Sequence, residues 1–82
     1  MIQIRYFASI RESLGASESV DFGAGGTIAD LREQLLSSSP RHAAALARGK
    51  ALRCALNQTM CAESAQLAEG DEVAFFPPVT GG

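Results

Sequence analysis

Residues 2–7 alternate in character: Ile2, Ile4 and Tyr6 fall on one side, Gln3, Arg5 and Phe7 on the other. A period of two belongs to a β-strand with one buried face. The chain therefore opens with a strand whose apolar side needs cover. Phe7 is the exception, a large aromatic on the polar side. Size narrows the choice further, because 82 residues fit one compact domain and leave no room for two.

Hydrophobic residues make up 46% of the chain and charged residues 20%, the balance of a folded domain rather than a disordered one. Net charge is -2, with no block of Lys or Arg, so neither nucleic acid nor an anionic membrane is expected as the main partner. No apolar run approaches the roughly 18 residues a membrane helix needs. Met1 to Arg5 lacks the basic-then-apolar pattern of a signal peptide. Cys54 and Cys61 do not suggest a disulfide framework, and a reducing, cytoplasmic compartment is expected.

Further along, Ala8 to Leu14 predicts a helical turn, with Ile10 and Leu14 on one face and Gly15 as its stop. Ser17 to Phe22 predicts a second strand, antiparallel to the first, with Val20 and Phe22 inward. Gly23 to Gly26 breaks the chain. No nucleotide fingerprint follows, so the glycines predict a flexible turn rather than a phosphate cradle. Thr27 is a good N-cap and Asp30 completes a capping arrangement. Ile28, Leu31 and Leu35 then share one helical face, while Arg32, Glu33 and Gln34 take the wet side. The helix should end at Ser37 to Ser39, before Pro40.

Arg41 to Arg48 predicts a shorter, Ala-rich helix closed by Gly49. In it, His42 reads as a surface histidine rather than a member of a catalytic or metal-binding set. Leu52 to Leu56 predicts a third strand, Asn57-Gln58 a turn and Thr59 to Cys61 a short fourth strand. Cys54 alternates with Leu52 and Leu56, which suggests a buried, inert thiol, and packing as a free thiol is favoured for Cys61 too. Leu67 anchors a loop, Glu69 to Asp71 is a turn signal, and Glu72 to Phe76 is the last strand.

The order strand, strand, helix, strand, short strand, strand is that of an α+β domain of the β-grasp, ubiquitin-like kind. Its mixed sheet of about five strands lies over one main helix. The domain would span residues 1–76, with residues 77–82 as an extended, flexible tail. That the last strand lies beside the first is implied by the fold, not by spacing.

The tail reads Pro77-Pro78-Val79-Thr80-Gly81-Gly82. Its prolines stop the sheet and favour extended geometry. It can reach on the order of 20 Å from Phe76 at about 3.3 Å per residue, and its glycines carry no side chain to obstruct a narrow passage. These properties suit delivery of a carboxylate into another protein's active site. Adenylation would supply the leaving group that a carboxylate lacks, and a sulfur nucleophile could then displace AMP to give a thiocarboxylate. The bland alternative is a frayed terminus.

Leu67 to Gly82, and above all Phe75-Phe76-Pro77-Pro78-Val79 with the closing Gly81-Gly82, resembles the C-terminal signature of the molybdopterin synthase small-subunit family. Tyr6 to Glu12, with Leu14-Gly15, is similar to that family's first strand and turn, and Ala55 to Gln58 to its central hairpin. The resemblance implies that an E1-like enzyme adenylates Gly82 with ATP and magnesium. A persulfide-based donor then makes the thiocarboxylate. The charged tail enters the large subunit, in a heterotetramer, and passes sulfur to cyclic pyranopterin monophosphate. No cofactor would be bound permanently. Phe7, Met60 and Phe76 match positions that contact the large subunit in that family, and Arg11 is either a polar rim contact or an ordinary solvated charge.

From strand parity alone, Phe7, Met60 and Phe76 form either an exposed apolar patch or a second small core under the Ala-rich helix. Competing functions are a carrier for another pathway, such as thiamine synthesis, a ubiquitin-like protein modifier, and an interaction module with an inert tail. An iron–sulfur protein is disfavoured because clusters generally need four cysteines.

Overall fold

The computed structural model describes residues 1–23, 25–49 and 51–77. Five strands, β1 (Ile2–Tyr6), β2 (Ser17–Val20), β3 (Arg53–Leu56), β4 (Thr59–Cys61) and β5 (Glu72–Phe76), form one sheet in the order β2-β1-β5-β3-β4. The first and last strands lie side by side and parallel, with Ile4 opposite Val73 and Tyr6 opposite Phe75. Every other pairing is antiparallel. This is the mixed sheet of the β-grasp fold.

Three helices, α1 (Ala8–Leu14), α2 (Ile28–Leu36) and α3 (Pro40–Ala45), contribute to the core. Ile10, Ile28, Leu31, Leu35, Ala45 and Leu46 pack on Ile2, Ile4, Tyr6, Cys54, Val73 and Phe75. Period-two parity puts all of those strand residues on one face of the sheet. Along it, Tyr6, Phe75, Cys54 and Cys61 form one continuous register row.

The capping reading of α2 is correct. Thr27 accepts from the Asp30 amide at 3.2 Å, and Asp30 accepts from the Thr27 amide at 3.0 Å. The next two amides, Ile28 and Ala29, donate to the carbonyls of Ala65 and Glu63. The loop before β5 is thereby fastened to the start of α2, and buried Leu67 anchors it. Gly26 has a packing role too, since a Cβ there would lie 2.5 Å from the Phe22 ring.

Several sequence-based expectations need correction. Strand β2 stops at Val20, so Phe22 packs against the core from outside the ladder. Strand β3 begins at Arg53, not Leu52. Helix α3 starts at Pro40 and ends at Ala45. Ser39 accepts from the His42 amide as its N-cap, and proline suits the first helical position, whose amide needs no intrahelical partner.

Arg32 is not on the wet side of α2 but 3% exposed. Its Nε donates to the Leu46 carbonyl at 2.9 Å, its Nη2 to the Ala47 carbonyl at 2.6 Å and its Nη1 to Glu63 at 2.6 Å. The planar fork satisfies carbonyls released at the end of α3, and these bonds compensate the buried charge.

His42 likewise is not a free surface residue. Its Nε2 lies 2.7 Å from Glu18 Oε2, and its Nδ1 lies 2.7 Å from Ser39 Oγ. The Tyr6 hydroxyl donates to the same Glu18 oxygen at 2.7 Å. Burial, with Glu18 beside it, holds the Tyr6 hydroxyl well above its ordinary pKa. Glu18 thus joins β2, β1 and α3 through one carboxylate.

Candidate functional site

The sheet face turned away from the helices carries the groove. Parity places Arg5, Ala74, Ala55 and Met60 in one register row across it. Ala55 and Ala74 are nearly covered, at 3% and 7% exposed, because their neighbours stand taller. These two alanines form the floor of an apolar groove of about 350 Å³, walled by Phe7, Phe76 and Met60 and edged by Arg5, Glu72 and Gln58. Arg5 and Glu72 face each other at 3.6 Å across the rim, where water screens the pair.

Local geometry sets each wall. Phe7 continues the parallel ladder, its amide donating to the Phe75 carbonyl at 3.3 Å. Ala8 then takes φ 52, a left-handed value uncommon for a residue with a Cβ, and turns the chain into α1. Phe7 is left on the groove side, and its ring stacks on Phe76 at a centroid distance of 4.8 Å. Met60 is held by the hairpin before it. Asn57 and Gln58 have φ values of 49 and 70, the two left-handed residues of a tight hairpin turn.

That hairpin is tied to the start of β5. The Asn57 amide donates to the Glu72 carbonyl at 2.8 Å, and Asn57 Oδ1 accepts from the Glu72 amide at 3.0 Å. Asn57 Nδ2 donates to Asp71 Oδ1 at 3.1 Å, while Asp71 Oδ2 accepts from the Ala68 amide at 2.9 Å. The Ala68 amide, then Asn57, hold the Asp71 carboxyl below its usual pKa. Met60, 52% exposed, is thus presented on a fixed turn.

Of the residues singled out from the sequence, Phe7, Met60 and Phe76 come together in this groove, away from the helices and not in a second core. Arg11 sits exposed in the last turn of α1 and does not line the groove. Pro77 follows β5 directly. Pro78, Val79, Thr80, Gly81 and Gly82 lie outside the described residues. Sequence reasoning missed Arg5, Ala55, Gln58, Glu72 and Ala74. The signal available was alternation, which puts Arg5 and Ala74 on the same side as Phe7 and Phe76.

The chain matches the ThiS family across residues 4–82. It is 44% identical to the molybdopterin synthase sulfur carrier subunit of Escherichia coli strain K12, over 100% of both chains. Identity to the protein of that name from Haemophilus influenzae is 39%, again over 100% of both. Among solved structures, small archaeal modifier protein 1 from Haloferax volcanii is similar with a TM-score of 0.75 and 26% identity, over 95% of this chain and 97% of that one.

The fold defines a ubiquitin-like β-grasp domain, and the full-length matches put it in the class of the sulfur-carrier subunits. More particularly, the chain belongs to the ThiS family and, within it, to the small subunits of molybdopterin synthase. No helix among the described residues is long and apolar enough to cross a membrane.

Proposed function

We propose that this chain carries sulfur on the C-terminal carboxylate of Gly82 for molybdenum cofactor synthesis. An E1-like enzyme consumes ATP with magnesium to make the Gly82 acyl-adenylate. Sulfur from a persulfide donor displaces AMP and leaves a thiocarboxylate. The groove of Phe7, Met60 and Phe76 docks on the large subunit of molybdopterin synthase, and the segment from Pro77 to Gly82 carries the thiocarboxylate sulfur to cyclic pyranopterin monophosphate. The chain needs no side-chain catalyst of its own, because activation and transfer take place in its partners.

The observation that carries this reading is the full-length, 44% identity to a protein named as the sulfur carrier subunit of molybdopterin synthase. Apolar walls beside the origin of the tail agree with it, since one docking event would place both the patch and the tail. The direct test is reconstitution with an activating enzyme, ATP and a persulfide donor, followed by intact-mass measurement. A carrier gains the mass difference of one sulfur for one oxygen at Gly82 and then converts the pterin when the large subunit is added. A chain whose mass never changes under these conditions is not a carrier.

A second reading, covalent protein modification through Gly82, is favoured by the likeness to small archaeal modifier protein 1. It predicts lysines of other proteins that carry, after cleavage at Lys and Arg, a branch of residues 54–82 joined through Gly82, in peptide maps of cell extracts. Carrier chemistry alone predicts none.

A further inference from the structure

The core side of the β3–β4 hairpin holds two thiols that the proposed sulfur chemistry does not use. Cys54 and Cys61 are direct cross-strand partners. Their Sγ atoms lie 4.0 Å apart, and the Cys54 thiol donates to the Cys61 carbonyl at 3.3 Å. Both are free thiols. Directly opposed residues of an antiparallel pair have Cα atoms about 4.5–5.5 Å apart, inside the roughly 4.4–6.8 Å span that a disulfide bridges. Side-chain rotation would bring the sulfurs from van der Waals contact to bonding distance without moving the strands.

The two thiols are not equivalent. Cys54 is 3% exposed, and burial, with Cys61 adjacent, pushes its thiol up to about 12. Cys61 is half-buried on edge strand β4, beside a surface depression that also involves Leu52, Arg53, Ala62 and Glu63. Its access to solvent makes it the first to react, and its register makes Cys54 the resolving thiol.

We propose that Cys54 and Cys61 form a reversible dithiol–disulfide site whose co-reactant is a low-molecular-mass disulfide such as oxidised glutathione. Cys61 Sγ gives up its proton and attacks one sulfur of that disulfide. The S–S bond breaks, and the departing thiolate takes up a proton. Cys54 Sγ then loses its proton and attacks Cys61 Sγ, forming the protein disulfide and releasing the second small thiol. Two protein thiols are oxidised and one external disulfide is reduced to two thiols. The product fastens β4 to β3 beside Met60 while placing no new atom in the groove.

The test incubates the full chain in graded mixtures of reduced and oxidised glutathione, quenches in acid and measures intact mass. The expected product is a monomer lighter by two hydrogens, restored by a dithiol reductant. Cleavage after Arg53 releases both cysteines in one peptide, because no Lys or Arg follows, and that peptide carries the loss. A chain that stays reduced at every ratio, accumulates a glutathione adduct without closing, or links to a second copy overturns the proposal.

Single variants test the order of attack. Cys54→Ser should stop as one glutathione adduct on Cys61, forming about tenfold faster or more than any adduct on Cys61→Ser. Circular dichroism confirms that both remain folded. Equal or reversed rates overturn the assignment of Cys61 as the first thiol. The unsubstituted chain tests the site itself independently of either variant.

Discussion

The rings of Phe7 and Phe76 stack 4.8 Å apart with their planes 13° from parallel, where β5 gives way to Pro77. One ring comes from the end of the first strand and the other from the end of the last. Their meeting depends on the parallel pairing of β1 with β5. The stack is therefore both a consequence of the sheet order and the wall of the groove that leads into Pro77.

If the groove is the docking surface, Phe7→Ala should weaken binding to the large subunit by about 2 kcal/mol, roughly thirtyfold. Met60→Asp should do the same or more while leaving the melting temperature nearly unchanged, because Met60 is 52% exposed. Calorimetric titration against the large subunit measures both. Unaltered affinity in both variants would place the interface elsewhere.

Removing Gly82, or adding one residue after it, should abolish sulfur delivery and leave thermal unfolding as it is, since β5 ends at Phe76. Thiocarboxylate formation by mass and pterin conversion by activity are the two readouts. A shortened or lengthened chain that still delivers sulfur would contradict carriage on Gly82.

Arg32→Met should cost roughly 2–4 kcal/mol in denaturant unfolding. It removes the donors that serve the Leu46 and Ala47 carbonyls and leaves Glu63 paired with Arg48 alone, whose Nη1 donates to Glu63 Oε1 at 3.0 Å. Glu63 keeps some solvent, at 25% side-chain exposure, which limits its share. Arg32→Lys should fall between, because one ammonium cannot reproduce the planar fork. A change below about 0.5 kcal/mol for the Met variant, the range of ordinary surface substitutions, would show that these bonds add nothing net.

Asp71 should contribute to acid sensitivity. Its carboxyl is held low in the folded state by the Ala68 amide, then by Asn57. The unfolded chain therefore binds more protons in acid. The contribution is fully present above the unfolded value of about 3.9 and is lost as pH falls through the folded value. Urea unfolding of Asp71→Asn beside the unsubstituted chain should show a gap that is constant above about pH 5 and narrows in stronger acid. A gap that ignores pH would mean that the carboxylate's charge is irrelevant.

Much of this molecule was legible residue by residue. Alternation marked β1 and β5, Thr27 with Asp30 marked the start of α2, Asn57-Gln58 marked the hairpin, and Leu67 stood out as an anchor. These signals are local, because side-chain direction, capping and turn chemistry are settled among residues a few positions apart. Alternation likewise placed Phe7 and Phe76 outside their strands' core sets, without saying what would stand beside them.

The partners came only from the assembled fold. Arg32 was misread because hydropathy assigns a charged residue to water, and the Leu46 and Ala47 carbonyls that hold it come from the end of α3. His42 looked free until β2 brought Glu18 to it. Cys54 and Cys61 became a pair through hairpin register, and Phe7, Met60 and Phe76 became one groove through the order β1-β5-β3-β4. The sequence determined which segments form strands and helices and where they stop. Tertiary structure decided which side chains meet, because strand order and register depend on how the whole chain buries its apolar faces at once.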